Sequence, residues 1–459
     1  MKPNIIYVLC DDLGYGDVQC LNPQRGKIPT PNINRLAKEG MTFTDAHSCS
    51  SVCTPSRYGI LTGRYAWRTR LQSGVLDNYV TPLIAADRLT VPSLLKLSGY
   101  HTACIGKWHL GFTVDREADL SEKFMGAPLG ARTADGPTTR GFDFFYGFHH
   151  ARMMRSVFTD DRVTEMVEPV DLLPRLTERA GQYIAERAKT KQPFFLYLAL
   201  NSPHTPIVPS APWVGKSQLN HYGDFVMETD WALGQVMKSV AQAGIENDTL
   251  LIFTSDNGCS PQADTAGMER QGHFASAAFR GYKTDIWDGG HRIPLIVRWP
   301  GHVNAGSHND RLTCLTDLLA TCADLTGAKL PDPAGEDSVS MLPALRGKTE
   351  ASRRDAVVHH SIDGSFSIRQ GRWKLELCAG SGGWGKPGNA DAQQQGLPEV
   401  QLYDLAADIG ERHNVQAQHP EVVTQMTKML EKVIAEGRST PGASQKNDAL
   451  ITLRKKPTQ

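Results

Sequence analysis

Residues able to do chemistry sit in short blocks along this chain, and the most telling block is Cys53-Thr54-Pro55-Ser56-Arg57, running on through Tyr58-Gly59-Ile60-Leu61-Thr62-Gly63. It predicts a thiol where a helix begins, with Pro55 at the first helical position and Arg57 one turn beyond Cys53. Amides at such a helix start, joined by a planar guanidinium, hold an anion against whatever group Cys53 presents. That is a nucleophile beside an oxyanion pocket. Asp11-Asp12 and Asp256-Asn257 add hard oxygen ligands, which suit calcium or magnesium better than zinc. Each pair alone is an ordinary turn, but anionic oxygens that converge need a cation. Lys107 and His109 stand two residues apart near a strand end, a spacing that puts both on one strand face and into one pocket.

The elements that must position these groups follow from the apolar runs. Ile5-Ile6-Tyr7-Val8-Leu9-Cys10 is short and rich in branched residues, reads as a buried strand and ends at Asp11-Asp12. A helix over Val91 to Leu97 closes at Gly99, and a strand through Thr102 to Ile105 delivers Lys107 and His109. A helix over Leu172 to Ala188 precedes the apolar run Pro193 to Leu200, which enters Asn201-Ser202-Pro203-His204. A helix around Phe225 to Ala243 stops at Gly244, and the strand Leu250 to Thr254 emerges at Ser255-Asp256-Asn257-Gly258. Four strands thus aim polar groups at one edge.

Alternating helices and apolar strands imply an α/β fold, a large, mostly parallel sheet sandwiched by helices, whose ligands bind outside the carboxyl ends of the strands. The pattern changes near residue 355. Ala356-Val357-Val358, Ser365 to Ile368 and Arg372 to Leu377 suggest antiparallel strands. We therefore expect a catalytic domain over 1–355 and a smaller α+β domain over 356–459 with an antiparallel sheet and an amphipathic helix around Glu421 to Glu436. The glycine-rich stretch Ala379 to Gly396, with Trp384, reads as a long loop and a candidate lid.

The 459 residues allow one large domain and a smaller one, and their formal net charge is zero. A balanced chain lacks the field of a general nucleic-acid binder, and no apolar run approaches membrane-spanning length, so neither a nucleic-acid nor a membrane partner is expected. Nine cysteines are scattered without a paired framework. Met1-Lys2-Pro3-Asn4 leads straight into the first strand, leaving no room for a signal-peptide core. The expected compartment is cytoplasmic for the chain as written, and periplasmic or secreted if the chain is a trimmed mature form. No oligomeric state follows from the sequence.

The C-T-P-S-R block followed by Leu61-Thr62-Gly63 resembles the signature of type I, formylglycine-dependent sulfatases of the alkaline-phosphatase-like superfamily, the group of arylsulfatase A and N-acetylgalactosamine-6-sulfatase. The resemblance covers nearly the whole chain. Gly106-Lys107-Trp108-His109-Leu110-Gly111 resembles the family's G-K-W-H-L-G block. Ser202-Pro203-His204-Thr205-Pro206 resembles its histidine block, and Gly281-Tyr282-Lys283 with Trp287-Asp288-Gly289-Gly290 its lysine block. The resemblance implies that Cys53 is oxidised to formylglycine, and that Asp11, Asp12, Asp256, Asn257 and the modified Cys53 coordinate one calcium ion. It further implies that Lys107 pairs with sulfate oxygens, that His109 takes the hydrate proton, and that His204, assisted by Lys283, is the acid on the leaving oxygen. His149 and His150, within the aromatic stretch Phe142 to His150, and Asp288 are the candidate substrate contacts. Two departures bear on local loop geometry: Asp288 stands where many relatives carry glutamate, and Ile409 of Asp408-Ile409-Gly410-Glu411 stands where proline is commoner.

The reaction implied is in-line attack at sulfur with S–O cleavage. A hydrated aldehyde has two hydroxyls, so one attacks and the other later expels sulfate as the carbonyl reforms, whereas a plain alcohol stays trapped as a sulfate ester. The expected enzyme is an exo-acting sulfatase on a sugar unit of a sulfated glycan, with small aryl sulfates as surrogates and a formylglycine-generating or sulfatase-maturing enzyme as partner. The alternative within the superfamily is a phosphonate monoester or phosphodiester hydrolase. A glycan-binding protein without catalysis would require decay of the nucleophile, cation or acid positions, and none is lost.

Overall fold

The apolar run that opens the chain forms the strand on which the molecule is built. The computed structural model describes residues 2–116, 123–348 and 354–454. Its strands in chain order are β1 (Asn4–Asp11), β2 (Met41–Phe43), β3 (Ala46–His47), β4 (His101–Lys107), β5 (Phe144–Phe148), β6 (Ser156–Thr159), β7 (Arg162–Met166), β8 (Phe194–Pro203), β9 (Thr249–Ser255), β10 (Leu295–Arg298), β11 (Ser307–Asn309), β12 (Thr313–Cys314), β13 (Val357–His360), β14 (Phe366–Gln370), β15 (Trp373–Glu376) and β16 (Gln401–Asp404). Among the described residues, ten of them form one sheet in the order β11-β2-β10-β9-β1-β8-β4-β5-β6-β7. The central run from β9 to β5 is parallel, while β10 and the β6/β7 ribbon run antiparallel at its flanks. The fold is therefore the mixed, mostly parallel α/β sheet expected, with a fifth parallel strand, β5, that the apolar runs had not marked.

Both faces of the sheet are covered. Alternate residues of β1 show this directly: Ile5, Tyr7 and Leu9 enter one core, and Ile6, Val8 and Cys10 the other. The first core is closed by α2 (Cys53–Thr62), α3 (Val91–Leu97) and the helix Leu318–Thr326, through Tyr58, Leu61, Leu95 and Leu319. The second is closed by α1 (Pro31–Glu39), α4 (Pro169–Ala188) and α5 (His221–Gln242), through Leu36, Leu176 and Phe225. Helix α5 starts four residues before the expected Phe225 because the Asn220 side chain caps it, accepting from the Gly223 amide at 3.0 Å.

Residues 357–404 form the separate four-stranded antiparallel sheet β13-β14-β15-β16. The helix Pro420–Ala435 packs Met426 and Leu430 onto Ile368, Leu375 and Leu402, and the same core takes Tyr65 and Trp67 from the segment after α2. The segment before α2 is also hydrogen-bonded to this sheet, since the His360 carbonyl accepts from Ser51 N at 3.1 Å and from Ser50 Oγ at 2.8 Å. Between them His47, His291 and His359 are buried together. The rings of His291 and His359 stack at 3.7 Å and 10°, so their in-plane lone pairs run parallel and do not converge on one cation. The glycine-rich stretch differs from the expected lid: it carries a short helix, Asn389–Gln394, and is fastened to residues 284–286 by several hydrogen bonds.

All nine cysteines are free thiols. No helix among the described residues is long and apolar enough to cross a membrane.

Gly106 lies in β4 between β5 and β8 with φ 112°, and an added Cβ would stand 1.8 Å from the Ala199 carbonyl oxygen. The strand can deliver Lys107 only with glycine there. Gly106→Ala should lower unfolding free energy by about 1–3 kcal/mol, the range for forced overpacking. Denaturant titration checks this, and an unchanged midpoint would contradict it.

Candidate active site

Helix α2 begins at Cys53, with Val52 in extended conformation before it and all ten helical residues buried. Cys53 therefore holds the first helical position and Pro55 the third, two places later than expected; the missing Pro55 N–H is still one of the amides with no intrahelical acceptor. Burial raises the Cys53 thiol, while Lys107 and Lys283 pull it back. At neutral pH the unmodified side chain is a thiol rather than a nucleophilic thiolate.

Three fully buried carboxylates lie close to it. Asp11 ends β1, Asp12 follows in left-handed conformation with φ 67°, and Asp256 follows β9, the strand beside β1. Oxygens of Asp11, Asp12 and Asp256 lie within 4.8 Å of one another, and one of Asp11 lies that close to Cys53 Sγ and a His204 nitrogen. Three cations answer them. Arg57 donates from Nε to Asp256 Oδ2 at 2.9 Å, and its Nη2 stands 2.8 Å from the same oxygen and 3.6 Å from Asp11. Lys107 Nζ reaches Asp11 Oδ2 at 2.5 Å, and Lys283 Nζ donates to Asp12 Oδ2 at 2.8 Å. Arg57 also donates to the Lys107 carbonyl at 2.8 Å, so in this arrangement its guanidinium binds the acids and strand β4 together instead of facing an open pocket.

The donor set fits a hard cation. Asp11 Oδ1 and Asn257 Oδ1 are buried oxygens with no hydrogen-bond partner. The Asn257 amide nitrogen donates to Asp12 Oδ1 at 2.7 Å and to the Gly258 carbonyl at 3.0 Å, leaving its oxygen without a partner. Burial, then the adjacent Asp11 charge, push the Asp256 carboxyl up despite the Arg57 fork. Two buried acids this close resist joint ionisation until a cation joins them, and oxygen-only donors select calcium or magnesium over zinc.

Around this centre stand the histidines. Strand β8 leads into His204, whose Nε2 lies 3.7 Å from Asp12 Oδ2 and whose side chain keeps 12% exposure. Burial and then Lys283 push it down to about 4. His109 does not share a strand face with Lys107 as their spacing predicts. The strand ends at Lys107, and His109 turns into the left-handed region with φ 56°. His109 Nε2 meets the Leu76 carbonyl at 2.8 Å, and its Nδ1 is buried without a partner. His150 lies over it, ring centroids 4.5 Å apart, at the end of β5.

Two of the expected substrate contacts are enclosed, and one of them, Asp288, needs correction. His149 is fully buried, its ring packed edge-on against Tyr79, Phe112 and His109 and both of its ring nitrogens without a hydrogen-bond partner. Asp288 is fully buried too, with Oδ2 held by Arg292 Nη2 at 2.8 Å and Oδ1 by Lys374 Nζ at 2.9 Å. Lys374 also pairs with Glu411 at 2.6 Å, and Glu411 accepts from the Asp288 amide at 2.7 Å. Asp288 thus belongs to an ion cluster joining residues 286–291 to the antiparallel sheet.

Sequence reasoning missed a brace beneath the acids. Asp17 accepts from the Gly14 amide at 2.8 Å, and its two oxygens meet Tyr222 Oη at 2.5 Å and His273 Nε2 at 2.8 Å. Tyr222 Oη also lies 3.0 Å from the Asp12 carbonyl. These residues come from three distant segments, and only the Gly14-to-Asp17 spacing is local enough to have signalled the turn.

A metal-assisted hydrolase of a charged ester, built at the carboxyl edge of a parallel sheet, is the class that this fold and site define. The family model described as Sulfatase matches residues 3–328, and the chain belongs to that family. It is a sulfuric ester hydrolase. The chain is 31% identical to the N-acetylgalactosamine-6-O-sulfatase of Bacteroides thetaiotaomicron, over 94% of this chain and 93% of that protein. It is 30% identical to human arylsulfatase A, over 96% and 90%. A solved structure described under the metabolism of multiple glycosaminoglycans by Bacteroides thetaiotaomicron matches with TM-score 0.82 and 29% identity, covering 94% of this chain and 99% of that one.

The Asp17-Tyr222-His273 brace carries its own test. Tyr222→Phe removes one hydroxyl from beneath Asp12 and should weaken divalent-metal affinity or turnover by about 10- to 100-fold, as loss of outer-shell support does, with circular dichroism unchanged. Metal titration and kinetics of the folded variant check it, and wild-type values in both would contradict the role.

Proposed function

We propose that this sulfatase removes sulfate from a sugar unit of a sulfated glycan, acting on a terminal unit, through a formylglycine made from Cys53 and one calcium ion. The observation that carries the reading is the gathering around buried Cys53 of three carboxylates, the partnerless oxygens of Asp11 and Asn257, three cations and His204. The sulfated-sugar substrate is supported by the relative named N-acetylgalactosamine-6-O-sulfatase and by the structure titled for glycosaminoglycan metabolism. Residues 1–355 form the catalytic domain in this reading, and 356–459 a subdomain that holds its wall.

Asp11, Asp12, Asp256, Asn257 and the modified Cys53 would hold the calcium. When bound, the ion polarises a sulfate oxygen and favours the ionised form of a neighbouring hydroxyl. Lys107 and Lys283, whose ammonium groups lie on Asp11 and Asp12, are the cations for the sulfate oxygens. Arg57 keeps Asp11 and Asp256 in register. The partnerless Nδ1 of His109 is the atom that takes the hydroxyl proton of the modified Cys53. His204 donates a proton to the leaving sugar oxygen with Lys283 beside it; an arriving anionic ester raises His204 from its low value, since a negative charge favours the protonated ring. His150 stays with substrate positioning. Cys53 is 3% exposed, so its maturing enzyme must act before α2 is enclosed.

Three outcomes are expected. Peptide mass spectrometry across Cys53 should show the thiol replaced by an aldehyde, and Cys53→Ala should abolish release of sulfate from every ester tested; undiminished hydrolysis would sink the nucleophile assignment. Exhaustive chelation should remove activity, and calcium should restore it. His204→Gln should slow hydrolysis of sugar sulfates by about 10²- to 10⁴-fold, the usual worth of a general acid, and slow 4-nitrophenyl sulfate far less, because nitrophenolate leaves without a proton. Equal losses on both would assign His204 to sulfate binding instead. Parallel turnover of phosphate diesters and phosphonate monoesters tests the competing reading, which a preference for phosphorus would favour.

A further inference from the structure

Trp384 is 49% exposed, and among the described residues no other phenylalanine, tyrosine or tryptophan is as open to solvent. A half-exposed indole on a fixed scaffold offers a flat apolar face that a ligand can cover. The loop that carries it is not loose. Trp384 N donates to Thr284 Oγ1 at 3.0 Å, Gly385 N to Asp285 Oδ1 at 2.8 Å, and Ile286 N to the Ser381 carbonyl at 2.7 Å. Ser381 Oγ closes the loop on itself by donating to the Gly385 carbonyl at 2.8 Å. Its far end is tied by Gly380 N, which donates to Asn389 Oδ1 at 3.0 Å.

The glycines on either side of the tryptophan explain the composition of the stretch. A Cβ on Gly383 would stand 2.5 Å from the Thr284 backbone, and one on Gly385 would stand 2.5 Å from Asp285 Oδ2. Only glycine lets the backbone come this close, and the close approach sets where Trp384 stands.

The segment it is fastened to is the one that carries the catalytic lysine. Asp285 joins the two directly, accepting from Gly385 N through Oδ1 and from Tyr282 N through Oδ2 at 3.0 Å. Thr284 N donates to the Ser51 carbonyl at 2.9 Å, two residues before Cys53, and Lys283 N donates to the Cys259 carbonyl at 2.8 Å. Trp384 is thus hydrogen-bonded to the neighbour of Lys283, which is itself hydrogen-bonded to the segment that enters the nucleophile helix. The backbone at Trp384 is therefore held one residue from Lys283 along the facing segment, with no flexible linker between them.

We propose that Trp384 is a specificity-determining platform on which the ring of the sulfated sugar rests through its apolar C–H face, the glycine-rich loop being the rigid mount that sets its distance from Lys283. This rests on the sulfated-carbohydrate reading above. An aromatic face supplies apolar contact area without fixing hydrogen-bond partners, while Lys283 and His204 handle the charged end of the same substrate, so one ligand meets both halves of the rim. Binding energy from the platform acts on the sugar and not on the sulfate group.

The test uses matured, calcium-loaded enzyme with a panel of N-acetylgalactosamine and galactose 4- and 6-sulfates, and with inorganic sulfate as a competitive inhibitor that has no sugar. Trp384→Ala should raise KM for the saccharide that wild-type enzyme hydrolyses by about tenfold or more with a much smaller change in kcat, leave the inhibition constant of sulfate within twofold, and keep formylglycine content unchanged. Trp384→Phe should recover most of the affinity. A saccharide KM within twofold of wild type in Trp384→Ala would overturn the platform while leaving the sulfated-sugar reading intact. An equal rise in KM and in the sulfate inhibition constant would overturn it in favour of a purely structural role. Failure of wild-type enzyme to hydrolyse any sulfated saccharide, with active turnover of phosphonate esters, would bring down both the reading and the platform that rests on it.

Discussion

The structure depends on burying Asp11, Asp12 and Asp256 together at the carboxyl ends of two adjacent parallel strands. Carboxylates out of water cost several kcal/mol each unless paired, and no single neighbouring element can supply three counter-charges. The chain brings them from three places: Arg57 from a buried helix, Lys107 from the end of β4, and Lys283 from the loop before the short helix Asp288–His291. Each cation must arrive at the same edge, and that requirement accounts for much of the architecture. Strand β4 lies one strand away from β1, across β8, so Lys107 reaches Asp11 over the strand that leads into His204. Helix α2 is sunk completely into the core so that Arg57 can reach two acids and a strand carbonyl at once.

Left-handed backbone occurs at the same edge. Asp12 and His109 both take positive φ, as does Thr284 next to Lys283. Non-glycine residues hold such conformations only where surrounding contacts over-determine them. Here the contacts are the Tyr222 hydroxyl beneath the Asp12 carbonyl, the Leu76 carbonyl on His109, and the Ser51 carbonyl and Trp384 amide on Thr284. The strain sits where side chains must leave the direction that strand alternation would give them.

That pattern explains what could be read from the residues and what could not. Apolar runs ending in polar pairs exposed four of the five central strands and the acids they deliver, because a buried parallel strand is continuous in its hydrophobicity and stops abruptly. Strand β5 was hidden by its aromatic composition and by Gly147, which must be glycine because a Cβ would strike the Gly106 carbonyl at 2.0 Å. The Lys107 and His109 spacing misled because strand geometry ends one residue before it would matter. The chemistry of Asp288 looked available because a short acidic residue beside two glycines reads as a loop, and its partners Lys374 and Glu411 lie 86 and 123 residues away. The Asp17, Tyr222 and His273 brace is equally non-local, and nothing periodic links its members.

The antiparallel sheet is tied to the buried acids through one short stretch of chain. Residues 283–292 begin at Lys283 on Asp12 and end in the cluster of Asp288, His291 and Arg292, where Lys374 of β15 and Glu411 grip the backbone and carboxylate. Lys374 is fully buried and held well above its ordinary range, burial opposing the charge and Asp288 and Glu411 outweighing it. A buried ammonium among carboxylates has strict geometric demands, since losing one partner leaves an uncompensated charge. The β-sheet that holds Lys374 is therefore a rigid abutment for the stretch that presents Lys283. A loop grafted onto that abutment, as the stretch around Trp384 is, inherits its rigidity while its side chains remain free to vary with the ligand. Reaction and selectivity are thus carried by different residues on a common mount, and the sugar-facing rim can change without disturbing the neutralised acids beneath it.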